Sequence, residues 1–338
     1  MARPGGRGRV PAVTIRDWRP TAARAMLERR AELLALARRF FADRGVLEVD
    51  TPLVINAPVT DVHIHSARVS FDEAGAPEGA RPYFLHTSPE YAMKRLLAGG
   101  AGDIYQICHV VRALERGRLH NAEFTLIEWY RRGFTLDALM SEVEALVREL
   151  LSPEGARRRS ERLSYREIFR RELAIDPFEA SLETLEREAR EAGFTAGSAD
   201  RDEWLEFLMG VRIGPRLGHQ ALTFVYGYPA SQAALARLDP ADPRAAQRFE
   251  LYGDGVELAN GFHELADPHE QRARFERDLD ERRRLGLPAH GLDERLLAAL
   301  EAGLPDSSGV ALGFDRTLML ATGAAHIDEV LPFPIERA

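Results

Sequence analysis

The 338-residue chain is 45% apolar, which is enough for one large domain with a hydrophobic core. Its net charge of −8 argues against a general nucleic-acid binder, because the neutralisation of phosphates needs a basic face. The single cysteine excludes a disulfide framework and a cysteine-rich zinc site and fits a reducing cytoplasm, and no run reaches the roughly 18 apolar residues of a membrane-spanning helix.

The N-terminal region predicts a long helix behind a flexible start. Residues 1–15 are rich in Arg, Gly and Pro and lack the apolar core of a signal peptide, so we expect a flexible extension. Thr21 is placed to cap a helix over residues 22–44, in which apolar side chains recur at helical spacing. Gly45 ends this helix, and a short strand over residues 45–52 ends at a proline.

A second helix begins at a capping sequence. A strand is predicted over residues 83–87. Ser88, Pro89 and Glu90 then provide a cap, a first-turn proline and an early acid for a helix over residues 91–98. This sequence alone indicates only a well-formed helix start.

Two predicted strands, residues 104–111 and 123–130, flank a basic loop. The first is an apolar run of strand length, and the second alternates in side-chain direction. The hydrogen-bonding side chains between the strands are Arg112, Arg116, Arg118, His120 and Asn121. A guanidinium group can bind two oxygen atoms of the same carboxylate or phosphate and does not lose its charge. A solvated hairpin loop needs fewer such groups, so the loop predicts an anion-binding site.

Helices dominate much of the remaining sequence. Residues 136–151 predict an amphipathic helix, and residues 152–220 hold several helical patches without a motif, which we interpret as a helical insertion. Residues 268–285 predict a heavily charged helix. Lys94 is the only lysine of the chain, either by accident or because a site requires this amine.

A Gly-Asp-Gly turn joins two strands that carry acidic residues. Glu250 and Glu257 can lie near each other across this hairpin. Opposed carboxylates repel, so the pair suggests a divalent cation between them, although an exposed acidic hairpin fits equally well. In a straight strand Glu257 points away from Asn260 and Glu264, and a bend or bulge at Gly261 could reconcile them.

Three segments resemble the motifs of class II aminoacyl-tRNA synthetases, above all the lysyl-tRNA synthetase branch. The basic loop and the strand after it resemble motif 2, in the run RLHNAEFT at residues 118–125. The helix, strand and proline of residues 22–52 resemble motif 1, and the glycine-rich residues 308–316 resemble motif 3, with Ala311 in place of the middle glycine. Leu114 stands where the family commonly has a glutamate beside the adenine.

The resemblance implies a fold and a chemistry. The fold would be α/β (α+β type): a class II synthetase-like, mostly antiparallel sheet flanked by helices over residues 16–338, without an anticodon-binding domain. Motif 1 would form a homodimer interface. A substrate carboxylate would attack the α-phosphate of ATP, so that catalysis consists of positioning and of neutralising phosphate charge, and Mg²⁺ would assist.

The resemblance also implies residue roles. Arg112 and Arg316 would be catalytic, with Arg112 on the substrate carboxylate and α-phosphate and Arg316 on the γ-phosphate. ATP would be bound by Arg112, Ala113, Leu114, Arg118, His120, Asn121, Phe124, Glu257, Leu258, Gly313 and Arg316. The amino acid would be bound by Ser88, Pro89, Glu90, Tyr130, Asn260, Glu264 and Ala311. Mg²⁺ would be bound by Glu250 and Glu257.

Within the amino acid pocket, Glu90 would hold an amino group and Glu264 with Tyr130 a distal ammonium. A buried carboxylate needs a cationic partner, and we identify no spare cation in the pocket itself. The substrate would therefore be lysine-like.

Among synthetase-like families, the chain is most similar to the elongation factor P–(R)-β-lysine ligases. Few residues precede the motif 1 segment, nothing resembles the anticodon-reading OB-fold, and Ala311 agrees with the ligases. This similarity implies activation of (R)-β-lysine or lysine and its transfer to a lysine of elongation factor P in the cytoplasm, without stable tRNA binding or a membrane. A truncated lysyl-tRNA synthetase that charges tRNA, a catalytically inactive synthetase-like regulatory subunit and a ligase for another acceptor remain open.

Overall fold

An eight-stranded sheet forms the centre of the structure, a computed structural model that describes residues 18–70, 82–151, 159–195, 197, 200–288 and 290–338. The strands are β1 (Leu47–Glu48), β2 (Val54–Ile55), β3 (Arg68–Val69), β4 (Tyr83–Leu85), β5 (Ile104–Val111), β6 (Glu123–Arg132), β7 (Arg159–Ser164), β8 (Ala221–Tyr226), β9 (Arg248–Gly253), β10 (Val256–His263) and β11 (Ser307–Gly313). The helices are α1 (Arg24–Ala42), α2 (Glu90–Ala98), α3 (Leu136–Leu150), α4 (Tyr165–Leu173), α5 (Leu182–Glu191), α6 (Arg201–Leu208), α7 (Pro268–Arg284), α8 (Glu294–Gly303) and α9 (Phe314–Thr322). The predicted extension at residues 1–15 lies outside the described residues.

The strand order of the large sheet is β1-β5-β6-β11-β10-β9-β8-β7. The two outermost pairs, β1 with β5 and β7 with β8, are parallel, and all other neighbours are antiparallel. Strands β2, β4 and β3 form a small antiparallel sheet beside it. The prediction of a mostly antiparallel sheet flanked by helices is therefore confirmed. No helix in the described part of the chain is both long and apolar enough to cross a membrane.

One face of the large sheet carries the main hydrophobic core, beneath α1, α3 and α9. Phe41 of α1 stacks on Tyr105 with ring centroids 4.3 Å apart and meets the edge of Trp129 at 5.3 Å. Side chains alternate along a strand, so Ile104 and Tyr130 point to the opposite face, where they pack against α2, α7 and α8. This opposite face holds the cavity described below.

The segment between α3 and β8 contains one strand that was not predicted. Residues 159–164 form β7, a parallel edge strand, ahead of helices α4, α5 and α6. Its sequence, RSERLS, is polar except for Leu163 and therefore lacks the apolar alternation that identifies a strand. These residues form a strand because they pair with β8, and the sequence alone does not reveal this pairing. The interpretation of residues 152–220 as a purely helical insertion is wrong at this strand.

The first helix begins later than predicted and is not capped by Thr21. Its first residue is Arg24, and Ala23 in the cap position offers no side-chain hydrogen bond. The Thr21 hydroxyl instead donates to the carbonyl of Leu331 at 2.8 Å and ties the start of the chain to its C-terminal segment.

The β9–β10 hairpin contains the predicted irregularity, but at a different residue. The register shifts between Glu257 and Ala259, so that Leu258 forms a bulge. Beyond the bulge Asn260 pairs with Glu250, and Glu257 thereby joins the face that carries Glu250 and Asn260. The bulge predicted at Gly261 is wrong. That glycine is required by packing, because a Cβ there would lie 2.5 Å from the Phe249 ring.

Candidate functional site

A cavity of about 820 Å³ lies on the sheet face opposite α1. The predicted site residues in its wall are Ser88, Glu90, Arg112, His120, Asn121, Phe124, Tyr130, Glu250, Glu257, Leu258, Asn260, Glu264, Ala311, Gly313 and Arg316. The predicted residues outside its wall are Pro89, Ala113, Leu114 and Arg118. Leu114 points into solvent, whereas its neighbour Glu115 lines the cavity. The motifs that are distant in sequence therefore meet in one place.

One end of the cavity is backed by Lys94, which does not line the cavity itself but pairs with two carboxylates that do. Glu90 is the first residue of α2, and Lys94 lies one turn later on the same side of the helix. The Nζ atom of Lys94 lies 2.6 Å from Glu90 Oε1 and 2.6 Å from Glu264 Oε2. Only 1% of the Lys94 side chain is exposed. The expectation that the protein has no spare cation to partner the buried Glu264 carboxylate is therefore wrong.

The charges of this cluster depend on one another. Burial opposes the charge on Lys94, but Glu264 and Glu90 outweigh burial and raise the pKa of the amine above its usual value. Burial likewise raises the pKa of Glu264 to about 7, although Lys94 acts to lower it. Lys94 is thus an ammonium ion whose partners hold it in place.

Glu128 is a third carboxylate at this end, and it was not predicted. It lies in the middle of β6 and accepts hydrogen bonds from the Ser88 hydroxyl and the Tyr130 hydroxyl, each at 2.8 Å. Burial, followed by the charge of Glu90, raises the pKa of Glu128 to about 8. A buried carboxylate whose hydrogen bonds come from neutral donors is suited to bind a ligand's ammonium group. The sequence signal was a glutamate between the apolar residues Ile127 and Trp129 in the middle of the strand.

Gly309 of β11 allows these groups to come together. A Cβ at this position would lie 2.3 Å from the Tyr130 ring and 2.5 Å from Glu264 Oε1. Any other residue would therefore displace both side chains from the pocket wall.

The other end of the cavity carries arginines. Arg112, directly after β5, lies with its guanidinium carbon 5.2 Å from the centroid of the Phe124 ring. Its hydrogen bonds, to the Thr87 carbonyl and to Glu115 Oε1, are both long at 3.4 Å. A guanidinium has five N–H donors, so Arg112 retains most of its capacity for a ligand.

Arg316, in the first turn of α9, connects three segments. Its Nη2 bonds to His120 Nε2 at 2.6 Å, and its Nη1 donates to the Glu257 carbonyl at 3.0 Å. Burial, assisted by the charge of Arg316, lowers the pKa of His120, so the imidazole is neutral and can accept from the guanidinium. The neighbouring Asp315 accepts from the Thr125 backbone amide at 2.7 Å and fixes the start of α9 against β6.

Two predicted nucleotide ligands are engaged elsewhere. Asn121 donates to the Glu123 carbonyl at 2.7 Å and accepts from the Ile335 amide at 3.1 Å, so both ends of its side-chain amide have partners within the protein. Arg118 contacts the Ala325 carbonyl outside the cavity wall. Their contact with a nucleotide stays a prediction.

Glu250 and Glu257 differ in how far their carboxylate oxygens are already engaged by other side chains. Glu250 accepts hydrogen bonds from Tyr228 and Tyr252 at 2.6 Å each and pairs with Arg248, a cavity-lining residue that was not predicted. Glu257 keeps 40% of its side chain exposed, and its nearest cation, Arg316, is 3.5 Å away. Desolvation of the carboxyl group within the cavity wall, followed by the charge of Glu250, raises the pKa of Glu257 although the side chain is partly exposed.

These two carboxylates fit Mg²⁺, although not as a complete cage. Within the described residues, no group of three or more His, Cys, Asp or Glu side chains is arranged to hold a metal ion. Mg²⁺ is commonly bound by one or two carboxylates together with substrate phosphates. Glu257 has free oxygen atoms for this purpose, and an added positive charge would relieve its repulsion by Glu250.

Known proteins match nearly the whole chain. Residues 12–337 match the family described as tRNA synthetases class II (D, K and N). An elongation factor P–(R)-β-lysine ligase from Vibrio cholerae is 48% identical over 96% of this chain and all of that protein. Proteins of the same name from Proteus mirabilis and Klebsiella pneumoniae are 49% and 48% identical, over 96% and 95% of this chain and 99% and 98% of their own lengths.

Proposed function

The chain belongs to the class II tRNA synthetases (D, K and N), in the branch of the elongation factor P–(R)-β-lysine ligases, and we propose that it catalyses the reaction for which those relatives are named. It would use ATP to activate (R)-β-lysine and would transfer the β-lysyl group to a lysine of elongation factor P. The observation that carries this proposal is one cavity whose wall combines Arg112 and Arg316 with three glutamates, the half-buried Glu90 and the buried Glu128 and Glu264.

In the first step, a carboxylate oxygen of (R)-β-lysine would attack the α-phosphorus of ATP. The bond from that phosphorus to the oxygen bridging the α- and β-phosphates breaks, which releases pyrophosphate and leaves β-lysyl-adenylate. Arg112 would align the carboxylate with the α-phosphate, and Arg316 would hold the outer phosphates. The substrate is its own nucleophile, so no protein base is needed. When bound, Mg²⁺ would be held by Glu257 and Glu250 and would neutralise phosphate charge.

In the second step, the ε-amine of the acceptor lysine would attack the acyl carbon of the adenylate. An amide forms, AMP leaves, and the amine loses a proton. The attacking amine must be neutral, which desolvation in the cavity or alkaline pH favours. No serine or cysteine nucleophile is required.

The amino acid would lie with its ammonium groups among Glu90, Glu128 and Glu264. Each of these carboxylates lines the cavity, and the hydrogen bonds that Glu128 accepts within the described residues come from the neutral hydroxyls of Ser88 and Tyr130. A diamino acid would supply the missing cations, and Tyr130, which already donates to Glu128, would close the pocket. This assignment adds Glu128 to the residues predicted from the sequence.

The charge of the cavity's solvent-exposed part supports a protein amine as acceptor over tRNA. Besides the carboxylates already assigned to substrate or metal, the exposed and half-buried acidic side chains of the cavity wall are Asp61, Glu115, Asp200, Asp202, Glu203, Glu206, Asp278 and Glu281. The exposed and half-buried arginines of the same wall are Arg112, Arg248, Arg277, Arg284 and Arg316. The resulting excess of negative charge attracts a lysine side chain and repels a phosphodiester backbone.

We also propose a cytoplasmic homodimer that uses α1 and β1. β1 is an edge strand of the large sheet, and its Leu47 is 55% exposed. Trp18, which precedes α1, is 69% exposed. An exposed apolar edge is a surface that a second copy could cover. Light scattering after gel filtration would report a single-chain mass if this proposal is wrong.

The proposed function is tested by pyrophosphate exchange into ATP, followed by intact-mass measurement of elongation factor P. We expect exchange that depends on (R)-β-lysine and exceeds that with α-lysine, and a mass gain of one β-lysyl group on the acceptor. Esterification of tRNA with an unchanged acceptor mass would instead identify a tRNA-charging enzyme. Exchange stimulated only by an amino acid without a distal amine would contradict the pocket assignment.

A further inference from the structure

Lys94 is a buried cation that bridges two of the three carboxylates of the amino acid pocket, Glu90 and Glu264, and the proposed chemistry does not use it. It is also the only lysine of the chain, whereas every other basic position outside histidine is arginine. Arginine could not take the same place without rearrangement, because a planar guanidinium is larger than an ammonium and donates in a fixed fork. The two contacts of 2.6 Å from a single Nζ atom suit a compact ammonium.

The charges at this end of the cavity match a diamino acid only when Lys94 is counted. Glu90, Glu128 and Glu264 carry three negative charges when ionised, and Lys94 carries one positive charge. Two negative charges remain without a partner. Two ammonium groups of a ligand would neutralise them, whereas a ligand with one ammonium would leave Glu128 protonated and would lose one charge-assisted contact.

On the basis of the proposed function, we propose that Lys94 is a positioning residue that determines amino acid specificity. It bridges Glu90 and Glu264, fixes both carboxylates in the pocket wall, and sets the pocket's charge to receive two ammonium groups. Lys94 does not touch the reacting atoms. It acts through the two glutamates that would contact the substrate.

The consequence of removing this cation follows from the same geometry. Without Lys94, Glu90 and Glu264 face each other in a buried space, and two such carboxylates cannot both stay ionised near neutral pH. They would share a proton, and a substrate ammonium would have to displace it. The other titratable groups that face Glu264 are Glu128 and Tyr130, and both are buried in the same wall.

The test compares Lys94→Met with Arg95→Met. Both substitutions remove one positive charge from α2, but Arg95 is solvent-exposed, whereas Lys94 is buried between Glu90 and Glu264. Pyrophosphate exchange would be measured with (R)-β-lysine and with 3-aminohexanoic acid, its analogue without the distal amine. We expect Lys94→Met to raise KM for (R)-β-lysine roughly tenfold or more at about pH 7 and KM for ATP by less than about twofold.

Two further readouts separate specificity from general damage. The preference for (R)-β-lysine over the analogue should fall roughly tenfold in Lys94→Met, and the KM defect should shrink as pH rises to about 9, where the glutamate pair loses its shared proton. Arg95→Met should behave as the unsubstituted protein in both. Equal behaviour of the two variants, or tighter binding of (R)-β-lysine by Lys94→Met at about pH 7, would overturn the proposal.

If Lys94→Met fails to fold because two carboxylates are left facing each other, the double variant Lys94→Met/Glu264→Gln removes that repulsion. Calorimetric titration would compare this double variant with Glu264→Gln alone. The double variant should bind (R)-β-lysine more weakly and show less preference for it over the analogue, and equal behaviour of the two would overturn the proposal. Failure of the unsubstituted protein to activate any amino acid would count against the proposed function. Normal activity in the unsubstituted protein with no Lys94 effect would count against the role of Lys94 alone.

Discussion

Replacement of Glu128 by glutamine should make the protein more stable and a poorer enzyme. Burial raises the pKa of this carboxyl from its ordinary 4.5 to about 8, so the folded protein binds a proton that the unfolded chain releases at neutral pH. At pH 7 this difference lowers the free energy of unfolding by ~3 kcal/mol, at ~1.4 kcal/mol per pKa unit. Glutamine has nearly the same shape and never ionises, and the hydroxyls of Ser88 and Tyr130 can donate to it or accept from it.

The sign of the pH dependence follows from the direction of the shift. A carboxyl whose pKa is higher in the folded state costs stability progressively as pH rises from about 4.5 to about 8. Glu128→Gln should therefore remove part of the fall in stability across this window and gain up to ~3 kcal/mol at pH 7. Urea unfolding at several pH values would measure this gain. Glu123→Gln, at the exposed end of the same strand, is the matched control and should change stability by less than ~1 kcal/mol.

The effect on substrate binding has the opposite sign. A charge-assisted hydrogen bond that a substrate ammonium donates to the Glu128 carboxylate is worth ~3 kcal/mol, but removing the proton from Glu128 at pH 7 first costs ~1.4 kcal/mol. KM for (R)-β-lysine should therefore rise roughly tenfold in Glu128→Gln at pH 7 and roughly a hundredfold near pH 9. A variant that is no more stable than the parent and has an unchanged KM would refute the placement of Glu128 in the amino acid pocket.

Three further substitutions address other parts of the site. Arg316→Lys loses the guanidinium that joins His120 to the Glu257 carbonyl. KM for ATP in pyrophosphate exchange should therefore rise roughly tenfold, while the affinity for (R)-β-lysine in calorimetry should be unchanged. An equal loss of both would contradict the assignment of Arg316 to the phosphates. Glu257→Gln should raise the Mg²⁺ concentration needed for half-maximal exchange roughly tenfold, and an unchanged Mg²⁺ dependence would remove Glu257 from the metal site. Asn121→Ala removes two buried hydrogen bonds and should lower the free energy of unfolding by ~1–3 kcal/mol in denaturant titration, whereas an unchanged stability together with a raised KM for ATP would favour a direct nucleotide contact instead.

The sequence predicted the sheet, most helices and the meeting of distant motifs, because those features depend on local periodicity and on motif residues. Strand β5 occupies the predicted residues 104–111, and Arg112 and Arg316 line one cavity as expected. The resemblance to class II synthetases identified these positions without any knowledge of the register.

Features that depend on tertiary contacts were not predictable in the same way. The bulge at Leu258 depends on how β10 pairs with β9, and glycine at position 261 suggested the wrong place. β7 is a strand only because β8 lies beside it. Lys94 was noted as unusual, but its spacing of four residues from Glu90 does not reveal that Glu264, far away in sequence, completes the bridge.

The most direct test of the whole account is the binding of a non-hydrolysable β-lysyl-adenylate analogue, in which a sulfamoyl group joins β-lysine to adenosine. If the arginine end and the glutamate end of the cavity form one site, this analogue should bind more tightly than either ATP or (R)-β-lysine, and each of them should displace it in competition calorimetry. Displacement by ATP but not by (R)-β-lysine, or an affinity no better than that of ATP, would contradict the account.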